Sequence, residues 1–176
     1  MAMVLKTIFI SLLIFAPIIS MSAPDHSRQV RDRLLPEELS ESESQLILKE
    51  EKPKKRVEAT LKISDARIDS AYKLIQENQF KAAAQDVDVY TALIRYADDY
   101  TRKLPGSQIK DRNNCLKKIE QAIFKQTRTL DAVVFGISHD YREATERGVN
   151  EVKKIRLRAI NDLLGGGNMI NSSNDQ

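Results

Sequence analysis

The feature that most constrains this chain is a repeat of apolar or small residues at alternating steps of four and three. It begins directly after Arg56, and its first members are Val57, Leu61, Ser64, Ile68, Ala71 and Ile75. Residues spaced in this way lie on one face of an α-helix. The polar residues between them lie on the opposite face, so the segment predicts an amphipathic helix that needs a partner for its apolar side.

Three more series of the same kind follow, separated by residues that end helices. The separators are a polar tip at 77–79, Pro105 with Ser107, and Gly136 with Ser138. Proline cannot continue a helix, glycine weakens one, and serine can cap the next. The apolar positions of these series are Phe80, Ala83, Val87, Tyr90, Ile94, Ala97 and Leu104; Ile109, Leu116, Ile119, Ile123, Leu130 and Val133; and Tyr141, Ala144, Val149, Val152, Ile155, Ala159 and Leu163. The sequence therefore predicts four helices, at roughly 57–77, 79–104, 108–134 and 139–164.

Long helices joined by short turns are typical of an antiparallel up-and-down four-helix bundle, here built from two helical hairpins. A charged fraction of 30%, with six glycines and five prolines, also favours an all-α fold. We place the helical domain at 56–164. Because Gly136 only weakens a helix, a hairpin followed by one long helix from 108 to 164 remains the alternative.

The segment at 1–22 has the pattern of a secretory signal peptide. Lys6 precedes an apolar run at 8–19, and Ser20 and Ser22 supply the small residues expected before a cleavage site. The uncharged stretch at 7–22 is shorter than the roughly 18–20 residues that a spanning helix needs. We expect an exported protein, periplasmic or secreted after cleavage near Ser22. The alternative is an N-terminal membrane anchor that is not cleaved.

Two segments flanking the helical domain are expected to be flexible. Residues 23–55 contain Pro24, Pro36 and Pro53 among many charges, which predicts a charged tether. The stretch SQLILKEE within it could still form a helical turn or dock on the domain. At the other end, three glycines at 165–167 terminate the last helix, and residues 165–176 are expected to form a disordered tail.

The stretch from 71 to 90 resembles a single tetratricopeptide-like hairpin, in which small residues sit where two helices cross. Ala71, Leu74, Phe80 and Ala83 follow that order. A tetratricopeptide array repeats with a period of about 34 residues. The positions one such period further on are Pro105, Gln108, Asn114 and Lys117, so the pattern does not recur. One such hairpin cannot bury its own apolar face, and we expect helices three and four to cover it.

Residues 56–165 as a whole, including CLKKIEQAIFKQ and the segment DYREATERGVNEVKKIRLRAINDLL, resemble uncharacterised exported all-helical bacterial proteins. This likeness rests on the hydrophobic pattern, and it implies an exported helical domain without indicating an activity.

Catalytic, cofactor-binding and metal-binding residues are not expected. A lone cysteine, Cys115, cannot attach haem covalently, and neither His26 nor His139 completes the E-x-x-H pair of a di-iron bundle. Ser138 and His139 are neighbours in a short segment, whereas catalytic groups converge from separate segments. An enzyme would need a pocket that joins these two residues to another helix, so we interpret the chain as a non-enzyme.

The charge pattern excludes a strong field for nucleic acid, because 28 basic and 25 acidic residues are mixed along the chain. We expect action through protein–protein contacts, as an adaptor, scaffold or envelope component, with an unknown protein partner or by self-association. An alternative is a module that binds acidic polymers or lipid headgroups through the basic last helix. The candidate partner-binding residues are Tyr96, Tyr100, Lys153, Lys154, Arg156 and Arg158.

Overall fold

Helices account for most of the chain that the computed structural model describes, which is residues 35–165. They are α1 (Glu41–Leu48), α2 (Pro53–Gln76), α3 (Phe80–Arg102), α4 (Ile109–Gly136) and α5 (His139–Leu163), with a 3-10 turn at Gly106–Gln108. No strand occurs within this range. The predicted all-α class is confirmed for it. The expected signal peptide, the first part of the expected tether and tail residues 166–176 lie outside the described residues.

The four long helices begin and end within four residues of their predicted bounds. Pro53 occupies the first turn of α2, where its missing N–H costs nothing, and it holds Lys52 in an extended conformation. The tip between α2 and α3 places Asn78 at φ 59°. Asparagine tolerates this left-handed conformation better than most residues. The amide of Gln79 then donates to the carbonyl of Leu74 at 2.8 Å, which closes the end of α2.

Helices α4 and α5 are separate, so the alternative of one helix from 108 to 164 is excluded. Ile137 and Ser138 both have extended backbone, with ψ of 148° and 157°. Ile137 is buried in the main core, and a Cβ added to Gly136 would lie only 2.9 Å from Cγ2 of Ile75. The helical path therefore breaks at Ile137 and Ser138, next to the point where the last residue of α4 lies close against α2.

The two hairpins, α2–α3 and α4–α5, lie beside each other, with first helix against first helix and second helix against second helix. Helix α2 packs along α4, and α3 packs along α5. Asp65 of α2 meets Gln126 of α4, and further along the same two helices Ile75 meets Gly136. Since residue numbers rise in the same direction on both helices, α2 and α4 run parallel.

Helices α3 and α5 are related in the same way. Arg95 bonds Glu151, and Arg102 bonds Asp162 further along both helices. Since residue numbers again rise in the same direction on both helices, α3 and α5 run parallel.

The main core lies between these four helices and uses most of the apolar positions that the repeats predicted, but Ile109, Ala144 and Leu163 are exposed, two of them at helix ends. Its fully buried members include Ile68, Val87, Ile94, Ile119, Leu130, Val133 and Val152. Tyr90 is buried among them and donates its hydroxyl to Oε1 of Gln126 at 2.7 Å, while Nε2 of Gln126 donates to Oδ1 of Asp65 at 2.7 Å. This chain of bonds satisfies polar groups that would otherwise be costly to bury, and it ties α3, α4 and α2 together.

A second, smaller core lies on the outer side of the α2–α3 hairpin, where the segment expected to be a tether packs. Helix α1 begins with a capping box in which the Ser40 side chain accepts from the Glu43 amide and Glu43 accepts from the Ser40 amide. Its Ile47 is fully buried, and the cluster comprises Leu39, Ile47, Val89, Leu93 and Tyr96. Within the described part of 23–55, the stretch SQLILKEE supplies the second half of α1 and docks on the α2–α3 hairpin, the alternative that the sequence left open. The packed body also extends N-terminally beyond residue 56.

Candidate interaction surface

Tyr96 and Tyr100, two of the candidate partner-binding residues, lie inside the protein. Their side chains are 2% and 6% exposed, and their rings stack with centroids 6.1 Å apart. Tyr96 belongs to the cluster beneath α1, and the guanidinium of Arg56 lies 5.4 Å from the centroid of the Tyr100 ring. These two rings therefore do not form an exposed patch. Tyr96 is covered by the docking of α1, whereas Tyr100 belongs to the main core.

The basic residues of α5 lie where the sequence predicted them, but three of the four are paired with acids. Lys153 bonds Asp131 of α4 at 2.8 Å, Arg156 bonds Glu120 of α4 at 2.9 Å, and Arg158 bonds Asp98 of α3 at 2.9 Å. Lys154 is exposed. Because these partners neutralise much of the stripe, α5 presents less free positive charge than its sequence indicates.

Asp98 is the centre of the charge cluster that joins α3 to α5. Its side chain is 1% exposed. It accepts two bonds from Nε of Arg102 at 3.0 Å and one from Nη2 of Arg158. Arg102 also donates to Asp162 at 2.7 Å. The two guanidiniums compensate for the desolvation of this carboxylate, which is why it can be buried.

Within α4 and α5, three exposed large apolar side chains lie outside the apolar repeats that the sequence predicted. Phe124 is 62% exposed, Phe135 is 87% exposed and Leu157 is 61% exposed. Phe124 and Phe135 are eleven residues apart. This spacing places their side chains within about 20° of each other around the axis of α4. Both lie off the apolar repeat of their helix, and that misplacement is the signal that could have identified them.

Contacts across the hairpin place all three side chains on one side, which we call the outer face. Asp131 lies two turns after Phe124 and binds Lys153 of α5. Leu157 is one turn after Lys153. The guanidinium of Arg156 lies over the ring of Phe124, 4.6 Å from its centroid. A cleft of about 330 Å³ runs beside Phe135 between the two helices. It is lined by Asp131, Val134, Phe135, Arg142, Glu146 and Lys153, among others.

The outer face combines apolar side chains with two ion pairs. Ion pairs Lys153–Asp131 and Arg156–Glu120 flank the phenylalanines. An apolar centre with a polar rim is the usual anatomy of a protein–protein interface. A partner on this face would also meet Arg128, which is exposed between the two phenylalanines on the same side of α4.

The residues that could supply chemistry do not converge. Ser138 precedes α5 as its N-cap residue, and His139 is exposed beside it. Cys115 is buried, and burial raises the pKa of its thiol to about 11. Across residues 35–165 there is no group of three or more His, Cys, Asp or Glu residues that could hold a metal ion. Over the same range, no helix has the length and apolar character required to cross a bilayer.

Comparisons with protein-family models, with curated proteins and with solved structures found no match.

Proposed function

We propose that this chain is an exported, non-enzymatic helical protein that works by binding another protein, or a second copy of itself, through the outer face. One observation carries the proposal. The outer side of the α2–α3 hairpin is covered by α1, whereas the corresponding side of α4–α5 leaves Phe124, Phe135 and Leu157 open to solvent.

The energetics favour an occupant for this face. Burying a large apolar side chain is worth roughly 1.5–3 kcal/mol, and aromatic residues dominate the energy of many interfaces. Scattered apolar residues on a surface need no explanation, but here three large ones lie on one side of the same two helices, and Phe135 also lines a cleft. The paired charges at its edge would add specificity and little affinity.

The closed arrangement of the body supports the same function. We propose that the four long helices form a complete bundle. The apolar sides of the helices then cover one another, and the outer face is left free for binding. We propose further that the N-terminal signal delivers this body out of the cytoplasm, with cleavage near Ser22.

Binding to acidic polymers or lipid headgroups is less well supported. Lys153, Arg156 and Arg158 are each already bonded to a carboxylate. A polyanion would have to compete with those acids, and such binding would weaken steeply with salt. Binding through the outer face should instead depend mainly on the apolar side chains.

The two functions separate in one experiment on the purified chain lacking residues 1–22 and an envelope extract of the source cells. Capture should yield the same partner, or the same self-associated species, at low and moderate salt, and Phe135→Ser should abolish it. Tyr72→Ser provides the matched control, because Tyr72 is another exposed aromatic residue but lies on α2. Capture that survives Phe135→Ser, or that disappears at moderate salt, would contradict the proposal.

A further inference from the structure

The groove occupied by α1 has the construction of a binding site for a helix. Its floor is formed by Val89, Leu93 and Tyr96 of α3, with Ile63 of α2 packed against the cluster. Ile47 of α1 is inserted there and is fully buried. An amphipathic helix that places an aliphatic anchor in an apolar groove is one of the recurring modes of peptide recognition.

Two arginines donate hydrogen bonds to polar groups at the ends of α1. Nη2 of Arg67 donates to both carboxylate oxygens of Glu43, each at 2.8 Å, in the first turn of the helix. Beyond its other end, Arg56 donates to the carbonyls of Leu48 at 3.0 Å and Glu50 at 2.9 Å. Helix C-terminal carbonyls lack intrahelical partners, so Arg56 recognises a helix end as such. The groove therefore selects an acidic first turn, a buried aliphatic residue one turn later, and a helix that ends nearby.

This site does not depend on α1 for its shape. Arg67 also donates from Nη1 to Asp86 of α3 at 3.0 Å, which would keep its guanidinium aimed at the groove if Glu43 left. Tyr96 is stacked on Tyr100, and Tyr100 belongs to the main core. Arg67 and Tyr96, which contact α1, are thus held in place by other residues of α2 and α3.

Helix α1 is held by few contacts. It has eight residues, and helices shorter than about 12 residues are marginal on their own. Ile47 is its only buried side chain, and Leu46 is exposed. Just before it, Glu38 lies close enough to Asp88 of α3 to add to the effect of burial in raising the pKa of Asp88.

We propose that the α2–α3 groove is a second protein-binding site, which α1 occupies as a built-in competitor. Its ligand is a short helix of another protein with a carboxylate in the first turn and an aliphatic side chain four residues later, the spacing of Glu43 and Ile47. Because only residues 49–52 join α1 to α2, the attached helix has a high effective concentration. The ligand must therefore bind more tightly than a free copy of α1 or arrive where α1 has been released. This site is independent of the outer face.

The test uses the chain lacking residues 1–22 and a fluorescent peptide with the sequence of residues 37–50. Ile47→Asp should expel α1 from its groove, and the peptide should then bind at least tenfold more tightly than to the unchanged chain, as measured by fluorescence anisotropy. A peptide carrying Ile47→Asp is the matched control and should not bind. Adding Arg67→Glu to the Ile47→Asp chain should abolish binding, and a peptide carrying Glu43→Arg should restore it.

A second variant covers the case in which Ile47→Asp disturbs folding. A protease site inserted between Lys49 and Glu50 converts α1 into a separate peptide after cleavage, and labelled peptide should then exchange into the groove. If neither the Ile47→Asp chain nor the cleaved chain takes up the peptide while both remain helical, the proposal is overturned. It is also overturned if the unchanged chain forms a dimer by exchanging α1 that excess peptide fails to dissociate, since the occupant is then a second copy.

Discussion

Nη2 of Arg158 lies 2.9 Å from Oδ2 of Asp98, and this bond joins the basic side of α5 to the buried end of α3. The Asp98 carboxylate is almost inaccessible to solvent, whereas the Arg158 side chain is more than half exposed. Arg158, which the sequence presented as a candidate for binding an external anion, thus bonds a carboxylate of the protein itself. The stability of the protein should therefore respond differently to the loss of each partner.

Replacing Asp98 with alanine should destabilise the protein by about 2–3 kcal/mol, in the range expected when charged hydrogen bonds are lost from a buried site. Arg158→Ala should cost less, about 1 kcal/mol or under, because Arg102 still bonds the carboxylate and Arg158 is largely solvated. Urea unfolding monitored by circular dichroism measures both. Equal effects of the two substitutions would contradict the asymmetric burial of this pair.

The packing of α3 on α5 can be tested where Gly148 of α5 lies against Thr91 of α3. A Cβ added to Gly148 would lie 2.9 Å from Oγ1 of Thr91. Gly148→Ala should therefore destabilise the chain by about 1–3 kcal/mol, the usual cost of overpacking.

Thr91→Ala supplies the compensating change. Oγ1 of Thr91 is buried and has no hydrogen-bond partner within residues 35–165, so its removal should cost little. The double variant should recover much of the stability that Gly148→Ala loses. Additive effects in urea unfolding would show that the two residues do not meet. Gly106→Ala is the control, because nothing lies within 4 Å of the added Cβ.

The attachment of α1 should weaken in acid. Burial acts to raise the pKa of Glu43, but bonds from Ser40 and Arg67 outweigh it and hold that pKa below its ordinary value of 4.5. A carboxyl with a depressed pKa in the docked state stabilises docking above pH 4.5. That contribution is lost as the pH falls below 4.5 and through the lower, docked-state pKa.

Hydrogen exchange at the Ile47 amide provides the readout. Its protection should fall between pH 5 and pH 3, after correction for the intrinsic rate, more steeply than protection at Ile94 in the main core. Glu43→Gln should remove most of this pH dependence. A profile at Ile47 that parallels that at Ile94, with or without Glu43→Gln, would exclude the ionic contact as the source.

Cys115 should react with a thiol reagent only when the protein opens. The thiol is buried, and burial is the main cause that raises its pKa to about 11, so little thiolate forms at neutral pH. Labelling by iodoacetamide at pH 8 should be at least 100-fold slower in the native chain than in 8 M urea. Comparable rates would show that the main core is open near the start of α4.

Sequence periodicity was sufficient to place the four long helices, because each buries one stripe and that stripe repeats locally. Ile68, Val87, Ile123 and Val152 all occupy predicted core positions. The break at Ile137 could not be decided from the sequence, since Gly136 only weakens a helix. It depends on the contact of α4 with α2, a helix that lies far earlier in the chain.

The candidate sites were harder to predict because they depend on faces outside the main stripe. Val89, Leu93 and Tyr96 lie on a second side of α3, where only the position of α1 decides whether they are covered. Arg56 and Arg67, which hold α1, look like ordinary surface charges in the sequence. Likewise, Arg156 and Arg158 look like part of a basic stripe in the sequence. In the folded chain they bond Glu120 and Asp98, which lie on other helices.

Site-specific photo-crosslinking in the native envelope tests the central claim most directly. A photoreactive phenylalanine analogue at Phe135 should give one dominant adduct, with a partner or a second copy, and Phe124→Ser in the same chain should reduce its yield at least fivefold. The same analogue at Tyr72 should give no such adduct. Equal adducts at both positions, or none at Phe135 while the chain is folded and exported, would contradict binding through the outer face.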